Sequence, residues 1–407
     1  MSRLTTLDNG VRVVSHAMPG LETAAVGLFA NAGSRHESAE LNGLAHLFEH
    51  MVFKGAGGRS AREISEAIED VGGELNACTE RDSTSFTSAV IGEHLPLAVE
   101  LIGDLILSPH FDAADLKREK HVVLQELAEV EDTPSDLIFD QLWSAAFGDQ
   151  PLGRSILGDE SSIRRIAVDD LRAWAATRYR GGDLILSAAG KVDHDELVRL
   201  AEARFGQLPG GRAGESQARF TGGIRTTRGS GDQAHITFGF EGPRRLAGDY
   251  LPARLFADIV GGGASSRLFQ ELREERGLAY SVSASVQAYS DTGLLSVHAA
   301  TSRRESAAAS QLIEEVLAAA AKDATQRELD RARMQARAAL LMQLETPWGQ
   351  MAYAARQLTV HGRLVAPAEI VADLAAIELD RLRAAGAAML ASPPARAAIG
   401  VQAARAA

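Results

Sequence analysis

Residues 43–51 (Gly-Leu-Ala-His-Leu-Phe-Glu-His-Met) place three polar side chains within an otherwise apolar helical pattern. Positions four apart on an α-helix lie one turn above each other on the same face. His46 and His50 can therefore direct two imidazole nitrogens at one point, and Glu49 flanks them. Two neutral imidazoles suit Zn²⁺, which prefers nitrogen ligands and tetrahedral geometry. The segment predicts a metal-binding helix that packs on a core through its apolar side.

Length and composition limit the class of protein. The 407 residues suffice for two or three domains, and 45% hydrophobic with 24% charged residues is ordinary for a globular chain. No apolar run is long enough to cross a bilayer, and the first residues resemble strand, turn and strand rather than a secretory signal. The single cysteine, Cys78, excludes an internal disulfide framework and is expected to be a small buried residue. We expect a cytoplasmic protein that does not associate with membranes.

The formal net charge of −12 argues against nucleic acid as a partner, because such binding depends on Lys and Arg that neutralise phosphates. An acidic surface keeps a protein soluble, and it would also suit cationic peptide substrates if the acidic residues lined a cavity.

Periodicity and turn residues predict the order of helices and strands. Strands are expected within residues 8–31, and the motif helix over 42–54. Ser60 followed by Glu63 indicates a capped helix that ends before Gly72. The other predicted elements are strands at 74–91, helices near 93–107 and 112–130, an apolar strand at 184–190 and a helix that Asp193 begins.

The pattern partly restarts after a segment rich in Gly, Pro and Ser, which indicates a duplication. Residues 46–52 (His-Leu-Phe-Glu-His-Met-Val) align with 254–260 (Arg-Leu-Phe-Ala-Asp-Ile-Val), so the second copy keeps the apolar positions and lacks the three polar ones. The sequence therefore predicts a zinc-binding catalytic domain over 1–210, a linker over 211–232 and a homologous domain without metal ligands over 233–407.

Catalytic zinc sites usually have three protein ligands, so a third ligand is expected on another element. The helix near 112–130 is rich in carboxylates, and Glu119 and Glu126 share one face of it. Spacing alone does not choose Glu126 over Glu119, Glu129 or Glu131.

At this point the chain resembles the pitrilysin family of zinc metallopeptidases, in its processing-peptidase-like branch with half-length subunits. That family has His-x-x-Glu-His, the inverse of the His-Glu-x-x-His order, followed after some seventy-five residues by a glutamate ligand. The resemblance implies that His46, His50 and Glu126 hold one zinc ion per subunit and that Glu49 is the general base. It also implies that Glu119 orients a ligand histidine. The implied fold is α+β, with two related domains, each a mostly antiparallel sheet covered by helices, joined by a linker.

The resemblance extends to residues that would hold substrate. Residues 74–86 match a family strand whose backbone, around Asn76 and Ala77, pairs with a peptide as an added strand. Arg273 and Tyr280 match an arginine and a tyrosine seven residues apart, which would donate to the substrate backbone and the developing oxyanion. The preceding glycines, 261–263, lack the Lys-Ser/Thr of a phosphate-binding loop, so a flexible loop or close backbone packing is expected there.

These features predict a zinc endopeptidase that cleaves short or unfolded peptides, basic presequence-like ones among them, inside the chamber of a homodimer. One alternative is a non-catalytic or heterodimer-partner subunit of the same family. Another is an unrelated zinc hydrolase of small molecules, which the size of the pocket would distinguish.

Overall fold

The computed structural model describes residues 2–214, 217–229 and 231–401. Contacts within the chain define two compact units, each built from three separate stretches of sequence. Unit 1 comprises Met1–Leu127, Ser155–Ser216 and Leu341–Val365. Unit 2 comprises Ala128–Arg154, Gln217–Leu340 and Ala366–Ala407.

Unit 1 is built on a six-stranded sheet in the order β1-β2-β8-β3-β7-β6. All neighbouring strands are antiparallel except β2 and β8, which run parallel. Strand β6 lies at one edge, so one side of its backbone has no strand partner in this sheet. The strands of unit 1, including a separate two-stranded ribbon of β4 and β5, are β1 (Ser2–Thr6), β2 (Arg12–Ala17), β3 (Thr23–Ala30), β4 (Gly55–Ala56), β5 (Arg59–Ser60), β6 (Glu74–Thr79), β7 (Thr84–Ile91) and β8 (Leu184–Gly190).

The main core of unit 1 lies between this sheet and helices on one of its faces. Val26, Leu28 and Phe86 from the strands pack with Phe48 and Ile102 from the helices, all less than 2% exposed. The helices of unit 1 are α1 (Leu44–Val52), α2 (Ala61–Glu69), α3 (Leu95–Leu107), α4 (Ala113–Asp132, of which 113–127 belong to the unit), α6 (Glu160–Arg165), α7 (Val168–Arg178), α8 (His194–Phe205) and α12 (Pro347–His361).

Helix α12 covers part of the sheet through two small apolar clusters, although it comes from the second half of the sequence. Leu358 packs with Val14 and Ile185, and Met351 packs with Ala189, all of them buried. The hydroxyl of Ser187 on β8 donates a hydrogen bond of 2.8 Å to the backbone carbonyl of Met351. The first sheet is therefore completed by a helix encoded more than 150 residues after its last strand.

Unit 2 repeats this design. Its five-stranded sheet has the order β11-β12-β10-β13-β9, with one parallel pair, β13 and β9, at the position of the parallel pair in unit 1. Strand β11 occupies the edge that β6 occupies in the first sheet. The strands are β9 (Ile224–Thr227), β10 (Gln233–Gly242), β11 (Ala279–Ala288), β12 (Gly293–Ser302) and β13 (Ala395–Ile399). This matching strand order supports the duplication predicted from sequence.

One helix of unit 2 also comes from the other half of the sequence. Leu142 and Trp143 of α5 pack with Leu294 and Ile399 of the second sheet. The helices of unit 2 are α5 (Pro134–Phe147), α9 (Tyr250–Gly261), α10 (Ser306–Asp323), α11 (Gln326–Gln343, mostly within the unit), α13 (Pro367–Ala375) and α14 (Leu379–Met389), and a π-helix covers Phe269–Glu275. Helices α5 and α12 begin alike, with a threonine N-cap (Thr133 and Thr346) followed by proline.

The α+β class, with two mostly antiparallel sheets covered by helices, is confirmed. The linear domain limits need correction, because residues 128–154 belong to unit 2 and 341–365 to unit 1. A local sequence pattern shows that a helix has an apolar side, but it does not show which sheet that side covers. The assignment of each of these two segments to the unit of the other half could therefore not be predicted from sequence. The predicted linker, 211–232, contains strand β9, which pairs with β13. In the described residues, no helix combines the length and apolar character needed to cross a membrane.

Candidate metal centre

Helix α1 starts at a tightly constrained turn. Gly43 adopts a left-handed conformation with φ of 92°, and a side chain there would approach the Leu157 carbonyl oxygen to 2.6 Å. The buried carboxylate of Glu37 accepts hydrogen bonds from the backbone N–H groups of Gly43 and Ala45, at 2.8 and 2.7 Å. A negative charge at a helix N-terminus satisfies unpaired N–H groups and interacts favourably with the helix dipole. These contacts fix where the motif helix begins.

The apolar side of α1 is sealed in the core, and its polar side is half-buried. The rings of His46 and His50 meet edge to face with centroids 4.6 Å apart. Glu49 also lies on the half-buried side of the helix. The fully buried residues include Leu47, Phe48 and Met51. The helical spacing of the sequence therefore gives the convergence of side chains that it predicts.

The third carboxylate comes from α4. Glu126 Oε2 lies 3.9 Å from His46 Nε2 and 3.7 Å from His50 Nε2. One ligand atom from each of these residues lies within 4.8 Å of the other two. In the described residues, this is the sole group of three or more His, Cys, Asp or Glu with such convergence. Of the four glutamates that spacing leaves open, Glu126 alone joins that group.

The donor set fits a zinc ion. Ligand atoms at about 2.0–2.2 Å from a tetrahedral centre lie about 3.3–3.6 Å apart, so the two separations of 3.9 and 3.7 Å from Glu126 need to shorten only slightly. Glu126 Oε2 is buried and accepts no hydrogen bond from the described residues. Buried polar atoms are normally hydrogen-bonded, so this oxygen is suited to bind a cation. Burial, together with the nearby His50, lowers the pKa of His46 to about 4. The His46 imidazole is therefore neutral at pH 7, which is the form that binds metal.

Glu119 is hydrogen-bonded to His50, the second histidine of the motif. Its Oε2 lies 3.2 Å from Nδ1 of His50, which leaves Nε2 of that ring to face Glu126. The other oxygen of Glu119 pairs with Lys54 Nζ at 2.9 Å, although Glu119 itself is buried. A carboxylate that accepts the N–H of a ligand histidine fixes the tautomer and orientation of the ring. This geometry agrees with the orienting role that the resemblance implies for Glu119.

Glu119→Gln should weaken zinc binding by about 10–100-fold, because the amide orients His50 less firmly and leaves Lys54 without its charged partner. Titration with a zinc-competing chelator measures this change. Glu129→Gln, at an exposed glutamate of the same helix, is the matched control and should leave the affinity unchanged. Equal zinc affinity in Glu119→Gln and wild type would contradict the orienting role.

Glu49 lies beside the ligands and contacts the first sheet. The hydroxyl of Thr79, at the end of β6, donates a hydrogen bond of 2.5 Å to Glu49 Oε2. Burial raises the pKa of Glu49, while the hydrogen bond from Thr79 and the nearby His50 oppose that rise. A half-buried carboxylate with increased proton affinity is suited to act as a general base.

The strand that carries Thr79 is the exposed edge strand β6. Asn76 is exposed and Ala77 is half-buried on this strand. Cys78 is exposed, so the expectation of a buried cysteine is wrong. Its side chain falls on the outward face because neighbouring strand residues alternate between faces. Partial burial and the charges of Glu80 and Glu49 raise the pKa of the Cys78 thiol, so the geometry gives no support for a nucleophilic cysteine.

Unit 2 carries the predicted arginine and tyrosine. Arg273 lies in the π-helix, half-exposed, with its guanidinium 4.8 Å from the centre of the Phe269 ring. Tyr280, in β11, is 63% exposed. Both polar groups are thus accessible to a ligand. In the described residues, no second group of three or more convergent His, Cys, Asp or Glu side chains occurs.

The fold comprises one unit with three convergent metal-ligand candidates and a second, related unit in whose described residues no such group is found. Residues 12–160 match the family model of insulinase (peptidase family M16), and residues 165–336 match that of the peptidase M16 inactive domain. The chain belongs to this family. The resemblance that His46, Glu49 and His50 indicated is therefore confirmed.

Several relatives align along most of their length. The chain is 33% identical to the uncharacterized zinc protease YmxG of Bacillus subtilis, with 94% of each chain covered. It is 38% identical to an uncharacterized zinc protease of Mycobacterium tuberculosis, which covers 89% of this chain and 84% of the relative. A solved protease from Helicobacter pylori matches with a TM-score of 0.89 at 19% identity, covering 98% of this chain and 99% of the other. A Pseudomonas fluorescens structure described as a peptidase M16 inactive domain matches with a TM-score of 0.87 at 21% identity, covering 99% and 98%.

Three residues of the centre were not predicted from the sequence: Glu37, Lys54 and Thr79. Lys54 lies just after the end of α1 and pairs with Glu119 of another helix, so helical spacing does not identify it. Thr79 alternates with Cys78 on β6, and period-two reasoning would have given it the face of Ala77. Glu37 precedes the helix by too many residues for a standard capping motif, so no local signal identifies it.

Proposed function

We propose that this protein is a zinc-dependent endopeptidase. A bound zinc ion would supply Lewis-acid activation of the attacking water and of the scissile carbonyl. His46, His50 and Glu126 would hold it. Glu49 would accept the proton of the attacking water and deliver it to the leaving amine. The observation that carries the proposal is a half-buried glutamate, outside the ligand set, beside three converging ligands in a chain of a peptidase family.

The edge of β6 suits an extended peptide as substrate. Its open backbone side can add a strand by main-chain hydrogen bonds, which are largely independent of side-chain identity. Asn76 and Ala77 lie on this strand, three and two residues before Thr79, which contacts the base. This arrangement favours unfolded or short peptides and broad specificity. It also favours a peptidase over a hydrolase of small molecules.

We further propose a homodimer that encloses the substrate in a chamber, with one zinc ion per subunit and basic, presequence-like peptides among its substrates. The support is the family resemblance together with the net charge of −12, which would attract cationic peptides. The cytoplasmic location stays a prediction from sequence.

Arg273 and Tyr280 are proposed as donors to the bound peptide and the developing oxyanion. Arg273→Ala or Tyr280→Phe should lower kcat/KM by about 10²-fold, in the range measured for loss of one oxyanion donor, while the zinc content stays normal. Steady-state kinetics with a fluorogenic peptide and metal analysis measure the two quantities. Arg276→Ala, at an exposed arginine on the same segment, serves as the control. Unchanged kinetics in both variants would refute the role.

A non-catalytic or heterodimer-partner subunit is the second candidate function. Such a subunit has no need of a complete ligand set or of a base, whereas this chain has His46, His50, Glu126 and Glu49 together. The geometry therefore favours an active enzyme.

The deciding experiment incubates the purified full-length chain with a library of quenched peptides. Cleavage is expected with zinc and is expected to stop when 1,10-phenanthroline removes the metal, then to return on addition of zinc. Size-exclusion chromatography with light scattering of the same sample tests the homodimer. No cleavage of any peptide by the zinc-loaded protein would favour the non-catalytic subunit.

A further inference from the structure

Thr79 links the proposed base to the edge strand. It is the last residue of β6, and only 9% of the residue is exposed. Its hydroxyl oxygen lies 2.5 Å from Glu49 Oε2 and 3.5 Å from the carbonyl oxygen of Ala45, one helical turn earlier. A threonine hydroxyl has one proton, and the much shorter contact indicates that the proton is directed to Glu49.

This hydrogen bond restrains the carboxylate. A glutamate side chain has several rotatable bonds, and ordering it costs conformational entropy. The bond from the Thr79 hydroxyl fixes Oε2 of the carboxylate, and the Thr79 backbone N–H also donates to this carboxylate. A base that is held in its reactive orientation before substrate arrives loses less entropy in the transition state.

The same strand carries the proposed peptide-binding edge. Ala77 and Thr79 lie on one face of β6 because side chains alternate along a strand. A peptide can pair with the β6 backbone, and the Glu49 carboxylate is bound to the Thr79 side chain on the same strand. Strand β6 would thus position both groups relative to each other.

We propose that Thr79 is a positioning residue for Glu49, which holds the carboxylate in a fixed place relative to a peptide bound along β6. This inference rests on the proposed peptidase function. It assigns to Thr79 an effect on turnover rather than on metal or peptide affinity.

The test compares Thr79→Val with Thr79→Ser. Valine keeps the shape but not the donor, so kcat should fall about 10–100-fold, the effect of losing a hydrogen bond to a charged group. KM should change less than twofold and zinc content should stay at wild-type level. Serine keeps the donor and should retain kcat within about threefold. If valine prevents folding, Thr79→Ala takes its place beside serine.

Thr84→Val is the matched control. Thr84 pairs with Thr79 across the strands, is fully buried, and donates 2.7 Å to the Ala32 carbonyl instead of to Glu49. It should lower the melting temperature without lowering kcat. A fall in kcat equal to that of Thr79→Val would show that loss of any buried hydrogen bond suffices, and would overturn the proposal.

A binding measurement distinguishes an effect of Thr79 on the base Glu49 from an effect on peptide binding along β6. In a Glu49→Gln background, peptide can bind without being cleaved, and adding Thr79→Val should leave the peptide Kd within about twofold. A Kd that weakens as much as kcat/KM falls would assign Thr79 to the peptide-binding strand and overturn the positioning role. An inactive wild type would reject the peptidase function, whereas an active wild type with equally active Thr79→Val would reject this inference alone.

Discussion

Replacing Glu49 by glutamine is expected to lower peptide hydrolysis by about 10³-fold while the protein keeps its zinc. General acid–base groups contribute about 10²–10⁴-fold, and glutamine cannot accept the proton. The amide oxygen can still accept the hydrogen bond from Thr79, and the amide carries no charge in this half-buried position. Folding should therefore be unaffected. Fluorogenic peptide assays and metal analysis on the same preparation measure both quantities.

Glu66→Gln is a suitable control for that variant, because it makes the same chemical change on the exposed surface of the neighbouring helix α2. It should match wild type in activity and zinc content. A Glu49→Gln protein with more than a tenth of wild-type activity would reject Glu49 as the base. One that lost its zinc would instead make Glu49 part of the metal-binding set.

Replacing Glu126 by glutamine is expected to remove both zinc and activity. The carboxylate oxygen between the two imidazoles becomes part of a neutral, weaker ligand, and two histidines alone rarely hold a catalytic zinc ion. We expect zinc content to fall from one ion per chain to near zero after gel filtration, with activity below about 1% of wild type. Elemental analysis and the peptide assay measure this outcome.

The melting temperature provides an independent test of zinc binding by the Glu126→Gln variant. A ligand present at a hundred times its Kd stabilises the folded state by about 2.7 kcal/mol, which for units of this size raises the melting temperature by several degrees. Wild type should show this zinc-dependent rise, and Glu126→Gln should not. Glu129→Gln, on the same helix but outside the convergent group, should behave as wild type. One tightly bound zinc ion in Glu126→Gln would exclude Glu126 as a ligand.

Much of the metal centre could be predicted because its information is local. His46 and His50 lie one turn apart on an amphipathic helix, and Ser60 with Glu63 forms the predicted capping box of α2. The apolar strand at 184–190 matches β8. In each case, the periodicity of a short segment determines the result.

Distant contacts were beyond local patterns. Spacing left four candidates for the third ligand, and only the packing of α4 against α1 separates Glu126 from the others. The hydrogen bond from Thr79 to Glu49 depends on the approach of a helix to a sheet edge, and the cap from Glu37 depends on the path of an irregular loop. Such contacts arise from tertiary packing, which no single segment encodes.

Helices α5 and α12 each belong to the unit that is formed mainly by the other half of the sequence, and this bears on how the duplicated chain arose. A gene for one unit alone would have encoded a protein whose own helix left its sheet to cover that of a neighbour, and two identical copies would have completed each other by exchange. Fusion of two such genes would convert an intermolecular swap into an intramolecular one. Severing the present chain between the halves would therefore return two fragments that each require the other to bury their apolar surfaces.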